Sequence, residues 1–233
     1  MKKKNLAFTL AEVLIVIGII GVVAALTLPN LNHATGDKEK VTKVKKIYST
    51  LTEAVDRAQV IYGNADTWFE GLTTKAERCE RAAKRISEFL KVSKDCGFDA
   101  GCFSSAPLLS ENGEEYFENY LETLQVDNLY MVSLQDGISL AFFGTGSYII
   151  VKVDIDGPNK GKNQEGNDLF HFYFGLNNND KYYLQLIPDI KVDVNGNWIG
   201  DYQLTTKWVI ENGNLDYLKC PDELNWETKT SCE

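Results

Sequence analysis

Two hydrophobic periods run along this 233-residue chain and divide it into a helical first part and a strand-rich second part. Between residues 8 and 28 nearly every position is apolar, and after Glu12 no charged residue occurs until Asp37. Further on the apolar positions thin to a stripe. Val41, Val44, Ile47, Tyr48, Leu51, Val55 and Ala58 recur at steps of three and four, with Lys40, Lys43, Lys46, Glu53 and Asp56 mostly off it. The spacing predicts a helix from Phe8 to about Tyr62, roughly 80 Å long at 1.5 Å per residue. Pro29 removes a backbone donor and is expected to bend or loosen it, and Gly63-Asn64 to end it. Residues 64–125 read as helical and irregular, with helices expected over 75–90 and 114–124. Past Leu129 the period becomes two. Strands are expected over 130–134, 138–143, 148–155, 169–174 and 182–187, separated by turn residues such as Asp136-Gly137. Ile149, Val151, Val153 and Ile155 mark one buried face of the third strand, with Lys152 and Asp154 on the other. A short helix is expected over 205–211. The pattern predicts an α+β fold, an antiparallel meander packed on the stripe of the long helix.

The apolar stretch carries a chemical anomaly. Glu12 stands near its start, where a carboxylate is costly in lipid: about 2.5–3.5 kcal/mol at a bilayer centre, less toward an end. About 20 apolar residues suffice to span a bilayer, so a simple anchor fits the length but leaves Glu12 unexplained. A secretory signal is a worse fit, because its apolar region is shorter and ends in a small-x-small site. Lys2, Lys3 and Lys4 precede the stretch and Lys38, Lys40, Lys43, Lys45 and Lys46 follow it, so lysine counts alone do not orient it.

The run Lys2-Lys3-Lys4-Asn5-Leu6-Ala7-Phe8-Thr9-Leu10-Ala11-Glu12 closely resembles the N-terminus of the type IV prepilin and pseudopilin family. The resemblance implies a leader of residues 1–7 on the cytoplasmic side and a cut by a prepilin peptidase between Ala7 and Phe8. Phe8 then becomes the N-methylated first residue and Glu12 the fifth. Ala7 replaces the usual Gly before the cut. Pro29 falls where the family places a helix-bending proline. The implied organisation is a leader (1–7), a transmembrane and fibre-core helix (8–28), its amphipathic continuation (29–63) and a head (64–233). The head divides into a helical or irregular part (64–125), a β-meander (126–204) and a C-terminal loop (205–233).

Composition narrows the head's chemistry. A net charge of −9 argues against general nucleic-acid affinity, which needs clustered Lys and Arg. The five cysteines all lie beyond the first helix. Short-range pairing gives Cys96–Cys102 and Cys220–Cys232, the latter like the C-terminal cysteine loop of many pilins. Cys79 is left over as a buried thiol, with a Cys79–Cys96 or Cys79–Cys102 link as the competing pattern. Neither spacing is a close C-x-x-C pair, and two histidines are few for zinc.

The loop 154–168 is dense in hard oxygen ligands. Asp154, Asp156, Asn159 and Asp168 form a candidate Ca²⁺ set similar to the calcium loops of some pseudopilins, although the spacing is not that of an EF-hand. The competing reading is a solvated hairpin loop, and no cofactor is otherwise implied. Nucleophile-elbow, P-loop, zincin and dinucleotide motifs are missing from the sequence, and His33 and His171 lie far apart in it.

The expectation is a non-enzymatic filament subunit, held in the bacterial inner membrane with its head extracytoplasmic and then extracted into a periplasmic or surface fibre. Its implied partners are itself, other pilin or pseudopilin subunits, the prepilin peptidase, an inner-membrane assembly platform and membrane lipid. The alternative is a membrane-tethered binding domain or enzyme that uses the helix only as an anchor. The sequence does not choose among pilus, secretion and DNA-uptake roles.

Overall fold

A computed structural model describes residues 10–110, 113–117, 129–144, 148–160, 163–176, 182–185 and 202–232; the side chains of 24–34, 116, 117, 176, 182, 183, 185 and 202–204 are outside the description. Helix α1 spans Leu10–Tyr62 and its helical assignment continues through Pro29 and Gly36. It ends where Gly63 takes φ +80°, the left-handed conformation that closes many helices and that glycine adopts without a Cβ penalty. The chain divides into two compact units, 1–39 and 40–233.

In the N-terminal unit the described side chains of α1 are exposed from Leu10 to Val23, including every large aliphatic one. Among the described residues no helix is long and apolar enough to cross a membrane. Residues 10–23 alone would extend about 21 Å at 1.5 Å per residue, against a hydrocarbon core of about 30 Å.

The second unit is built on a six-stranded antiparallel sheet in the order β1-β4-β5-β6-β8-β9. The strands are β1 (Val92–Gly97), β4 (Leu129–Leu134), β5 (Ser139–Gly144), β6 (Ile149–Asp154), β8 (Leu169–Leu176) and β9 (Tyr182–Gln185). A smaller mixed sheet joins β2 (Leu108–Leu109) to β3 (Glu115–Phe117) and, in parallel, to β7 (Asn163–Gln164). Helix α2 (Lys75–Ser87) starts at a capping box: Thr74 Oγ1 accepts from the Glu77 amide, and Glu77 Oε2 accepts from the Thr74 amide. Helix α3 is Tyr202–Asn212.

One face of the large sheet makes the main core. Val44, Ile47, Leu51, Val55 and Ala58 of α1 and Ala82, Ala83 and Ile86 of α2 join Val151, Val153, Phe170, Phe172 and Phe174 there. Tyr48 stacks on Phe172 with ring centroids 5.7 Å apart. The predicted stripe is therefore the buried side of α1 in this unit. The other face is covered too, by a small cluster of Cys102, Phe103, Leu108, Leu129, Met131, Ala141 and Leu169.

Three expectations change. The stretch 64–125 contains strands β1 to β3 as well as helix. Within the helix expected over 114–124, Glu115–Phe117 is a strand paired with β2, and 118–124 lie outside the described residues. Tyr116, Phe117 and Tyr120 fit a helical stripe, but over so few residues helix and strand periods cannot be separated, and pairing with β2 decides. Lastly, Lys152 and Asp154 lie opposite the main core as expected, yet they are buried, at 7% and 1% exposure, because the small sheet covers that face.

Candidate functional site

The N-terminal site is a stretch of helix rather than a pocket. Backbone hydrogen bonding within α1 satisfies the main chain, so only side chains meet the surroundings. Leu14, Ile15, Ile17, Ile19, Ile20 and Val22 cover all sides of the helix and are about 60% exposed each. A helix apolar all round needs an apolar environment on all sides. Glu12 is exposed, within the first described turn of α1. Ala7 and Phe8 lie outside the described residues, and Pro29 is placed by its backbone within α1.

The cysteines form two bridges, Cys96–Cys102 and Cys220–Cys232, with Cα separations of 5.9 and 6.0 Å. Cys79 is a buried free thiol whose Sγ lies 2.6 Å from the carbonyl oxygen of Phe142, and burial pushes its pKa up to about 12. Such a thiol stays protonated and is a poor nucleophile.

The loop 154–168 is not a solvated hairpin. Asp154, Gly157, Asn163, Glu165 and Asp168 are buried. Asp154 Oδ1 accepts from the amides of Asp156 (3.1 Å) and Gly157 (2.8 Å), while Oδ2 is buried with no hydrogen-bond partner. Asp168 Oδ1 accepts from the Gln164 amide at 2.5 Å. The turn is tight: Gly157 has φ +87°, and a Cβ there would sit 2.3 Å from the Gly137 carbonyl oxygen. Asp156 is half-buried and Asn159 exposed, and among the described residues no three His, Cys, Asp or Glu side chains are placed to hold a metal ion.

Burial pushes the Asp154 carboxyl up to about 7, with the Asp156 side chain adding to the shift. Asp168 is likewise raised to about 7, first by burial and then by repulsion from Asp156 and Asp154. An acid whose folded pKa exceeds its unfolded value binds its proton more tightly in the folded state. Its contribution to stability is full below about pH 4 and is lost as pH rises through about 7. In chelator the head is therefore expected to melt higher at about pH 5 than at about pH 8, and Asp168→Asn to flatten that slope, as read by thermal denaturation.

Sequence reasoning missed a buried polar group on the covered face. His171 Nε2 lies 3.1 Å from Glu165 Oε2, and the His171 amide donates to Thr206 Oγ1. Lys152 is held below its ordinary pKa by burial, against the opposing pull of Glu165. The available signal was β8: Leu169-Phe170-His171-Phe172-Tyr173-Phe174 is apolar at almost every position, the mark of a strand covered on both faces.

Residues 2–28 match the family model described as the prokaryotic N-terminal methylation motif. A curated relative, type II secretion system core protein G of Vibrio cholerae serotype O1 (strain ATCC 39315 / El Tor Inaba N16961), is 34% identical over 98 residues. That match takes in 39% of this chain and 65% of the relative, so the chain spans just under two thirds of the relative's length. No solved structure matches the chain. Pilin and pseudopilin families are structural subunits rather than enzymes, in line with the non-enzymatic reading of the sequence. The chain thus carries the prepilin-type methylation motif and is similar to a type II secretion pseudopilin, which bears out the resemblance read from residues 2–12.

Proposed function

We propose that this chain is a structural subunit of a pilin- or pseudopilin-type filament, assembled through its N-terminal helix. The observation that carries the reading is the exposed, all-round apolar surface of residues 10–23, interrupted only by Glu12. Water is a poor solvent for such a surface, whereas lipid and sister helices are good ones. In this reading the chain waits as a single-pass protein in the inner membrane, head outside. Prepilin peptidase cuts between Ala7 and Phe8, the Phe8 amine is methylated, and an assembly platform passes the subunit into a periplasmic or surface filament. The helix then exchanges lipid for other subunits, and the head forms the filament surface.

Paired cysteines at different heights on the helix test this. In cells holding the assembly machinery, two differently tagged copies, one with Ile17→Cys and the other with a single cysteine scanned over residues 10–23, are expected to cross-link to one another on mild oxidation for at least one pair. A membrane-tethered domain that uses the helix only as an anchor gives monomers throughout, and that result would overturn the filament reading.

We propose a calcium ion as an accessory ligand of the loop 154–168, held by fewer than three side-chain carboxylates. Support comes from the buried, unpartnered Oδ2 of Asp154 and the mutual repulsion of Asp154, Asp156 and Asp168, which a divalent cation would relieve. Side chains would supply only part of the shell, backbone carbonyls and water the rest. A ligand of the folded state contributes about 2.7 kcal/mol at a hundred times its Kd. At about pH 8 the protein should melt higher in calcium than in chelator, and Asp156→Ala should reduce the increment. Superimposable melting curves would leave the loop a self-capped turn.

A further inference from the structure

Helix α2 carries two arginines that lack the carboxylate partners its sequence offers them. Arg81 and Arg85 stand one turn apart, and both line a groove of about 440 Å³ whose apolar wall is Tyr62 and Leu72. On a helix the ordinary ion-pair partners lie three or four residues away. Here they are Glu77, four before Arg81, and Glu88, three after Arg85. Both are engaged elsewhere. Glu77 Oε2 accepts from the amides of Thr73 (3.2 Å) and Thr74 (3.0 Å) at the capping box. Glu88 Oε2 accepts from the Tyr62 hydroxyl. Glu80, also on the groove, holds Lys84 at 2.6 Å.

The arginines are left with neutral contacts. Arg81 Nη1 donates to the Trp68 carbonyl oxygen at 3.2 Å. The Arg85 guanidinium lies 4.8 Å from the Tyr62 ring centroid and 5.2 Å from that of Trp68. Among the described residues neither arginine has a carboxylate at ion-pair distance. Stacking uses the face of a guanidinium and leaves its in-plane N–H groups for an acceptor. Burial, and then repulsion from Arg81, holds Arg85 below its ordinary pKa, yet a guanidinium stays charged in proteins. A carboxylate placed between the two would satisfy those N–H groups and offset the repulsion. The rim limits how much negative charge can enter. Glu77, Glu80 and Glu88 already balance Arg81, Lys84 and Arg85, so a doubly charged anion is disfavoured against a single carboxylate.

We propose that this groove binds a lone acidic side chain, Asp or Glu, on an extended segment of another protein. The carboxylate bridges Arg81 and Arg85, and apolar neighbours of the acid lie on Leu72 and the Tyr62 ring. Tyr62 has a second part in the site. Its hydroxyl draws Glu88 away from Arg85 and so keeps that guanidinium open. The groove belongs wholly to the unit that starts at Lys40, and the proposal does not rest on the filament reading.

The test is a calorimetric titration of the full chain in neutral detergent micelles. The probe is a capped five-residue peptide with one central glutamate between leucines and alanines at its ends. The same peptide with glutamine at the centre controls for partition into the micelle. The glutamate peptide should bind saturably, and the glutamine peptide about tenfold more weakly or worse. Arg81→Gln and Arg85→Gln should each bring the glutamate peptide down to the level of the control. Tyr62→Phe leaves both arginines and the ring in place, so it reads the site without a loss of charge or packing. It should weaken binding several-fold by releasing Glu88 to Arg85, and adding Glu88→Gln should restore it. Equal affinities for the two peptides would overturn the site. So would wild-type binding by Tyr62→Phe together with either arginine variant, or saturable binding of inorganic phosphate without that of the glutamate peptide.

Discussion

Replacing Glu12 with Ala or Gln is expected to leave expression, leader removal and head folding intact while emptying the protein from filaments. Glu12 is the one charged side chain in an exposed helical stretch that is otherwise apolar, and among the described residues the head core uses nothing before Val41. Its loss therefore costs the head no packing and, if anything, eases insertion of the helix into lipid. In a filament built on this helix, Glu12 leaves water and needs a cation. The partner proposed here is the amine of Phe8 on a neighbouring subunit, which methylation would leave able to carry charge. Removing one member of a buried pair leaves an uncompensated charge worth about 3–5 kcal/mol. At about 1.4 kcal/mol per factor of ten, incorporation should fall by on the order of a hundredfold or more. Glu12→Gln keeps the shape and loses the charge, so it should behave like Glu12→Ala. Cells lacking the native copy supply the measurement, as the fraction of each variant recovered in sheared filaments. Wild-type recovery of both would mean that Glu12 serves the peptidase or nothing.

Trp68→Ala is the substitution expected to damage the head most. Trp68 is fully buried in the short 3₁₀ helix Ala65–Phe69, directly after the end of α1. Its Nε1 donates to the Gly63 carbonyl oxygen at 2.8 Å, its ring lies 5.6 Å from that of Phe174, and the Arg85 guanidinium sits 5.2 Å from its centroid. One side chain thus ties the end of α1 to α2 and to the sheet. Truncating a buried tryptophan costs about 3–5 kcal/mol, a large part of a typical domain's 5–15 kcal/mol. For a chain of this size the melting temperature should drop by on the order of 10 °C. Trp68→Phe keeps most of the packing and loses the hydrogen bond, so its loss should be smaller. A Trp68→Ala melting curve within experimental error of wild type would remove this position from the core.

Trp68 also shows where the sequence was legible and where it was not. Regular periodicity transmitted well. The stripe from Val41 to Ala58 is buried, and β4 to β6, β8 and β9 lie within a residue or two of their expected places. Trp68 belongs to a segment too short for any period to show, and its partners are distant in sequence. Strand β1 was hidden for a different reason: Val92-Ser93-Lys94-Asp95-Cys96-Gly97 is a polar edge strand, defined by pairing with β4 and not by apolar alternation. The same holds for the polar face of β6. Alternation told that Lys152 and Asp154 point away from the main core, and could not tell that a second sheet, with β2 and β7 paired across some fifty residues, would cover them. At the N-terminus the balance reverses. The motif is a local string of residues and was readable at once, while the partners proposed for it, lipid and sister subunits, belong to no single chain.

The central claim is that residues 1–7 are a leader and that the mature chain starts at the assembly helix. Mass spectrometry of the N-terminal peptide, from protein recovered with membranes or filaments, tests it most directly. The account predicts a peptide beginning at Phe8 and carrying one added methyl group on its amine. An intact leader in assembled protein, or a first residue beyond Leu28, would contradict it.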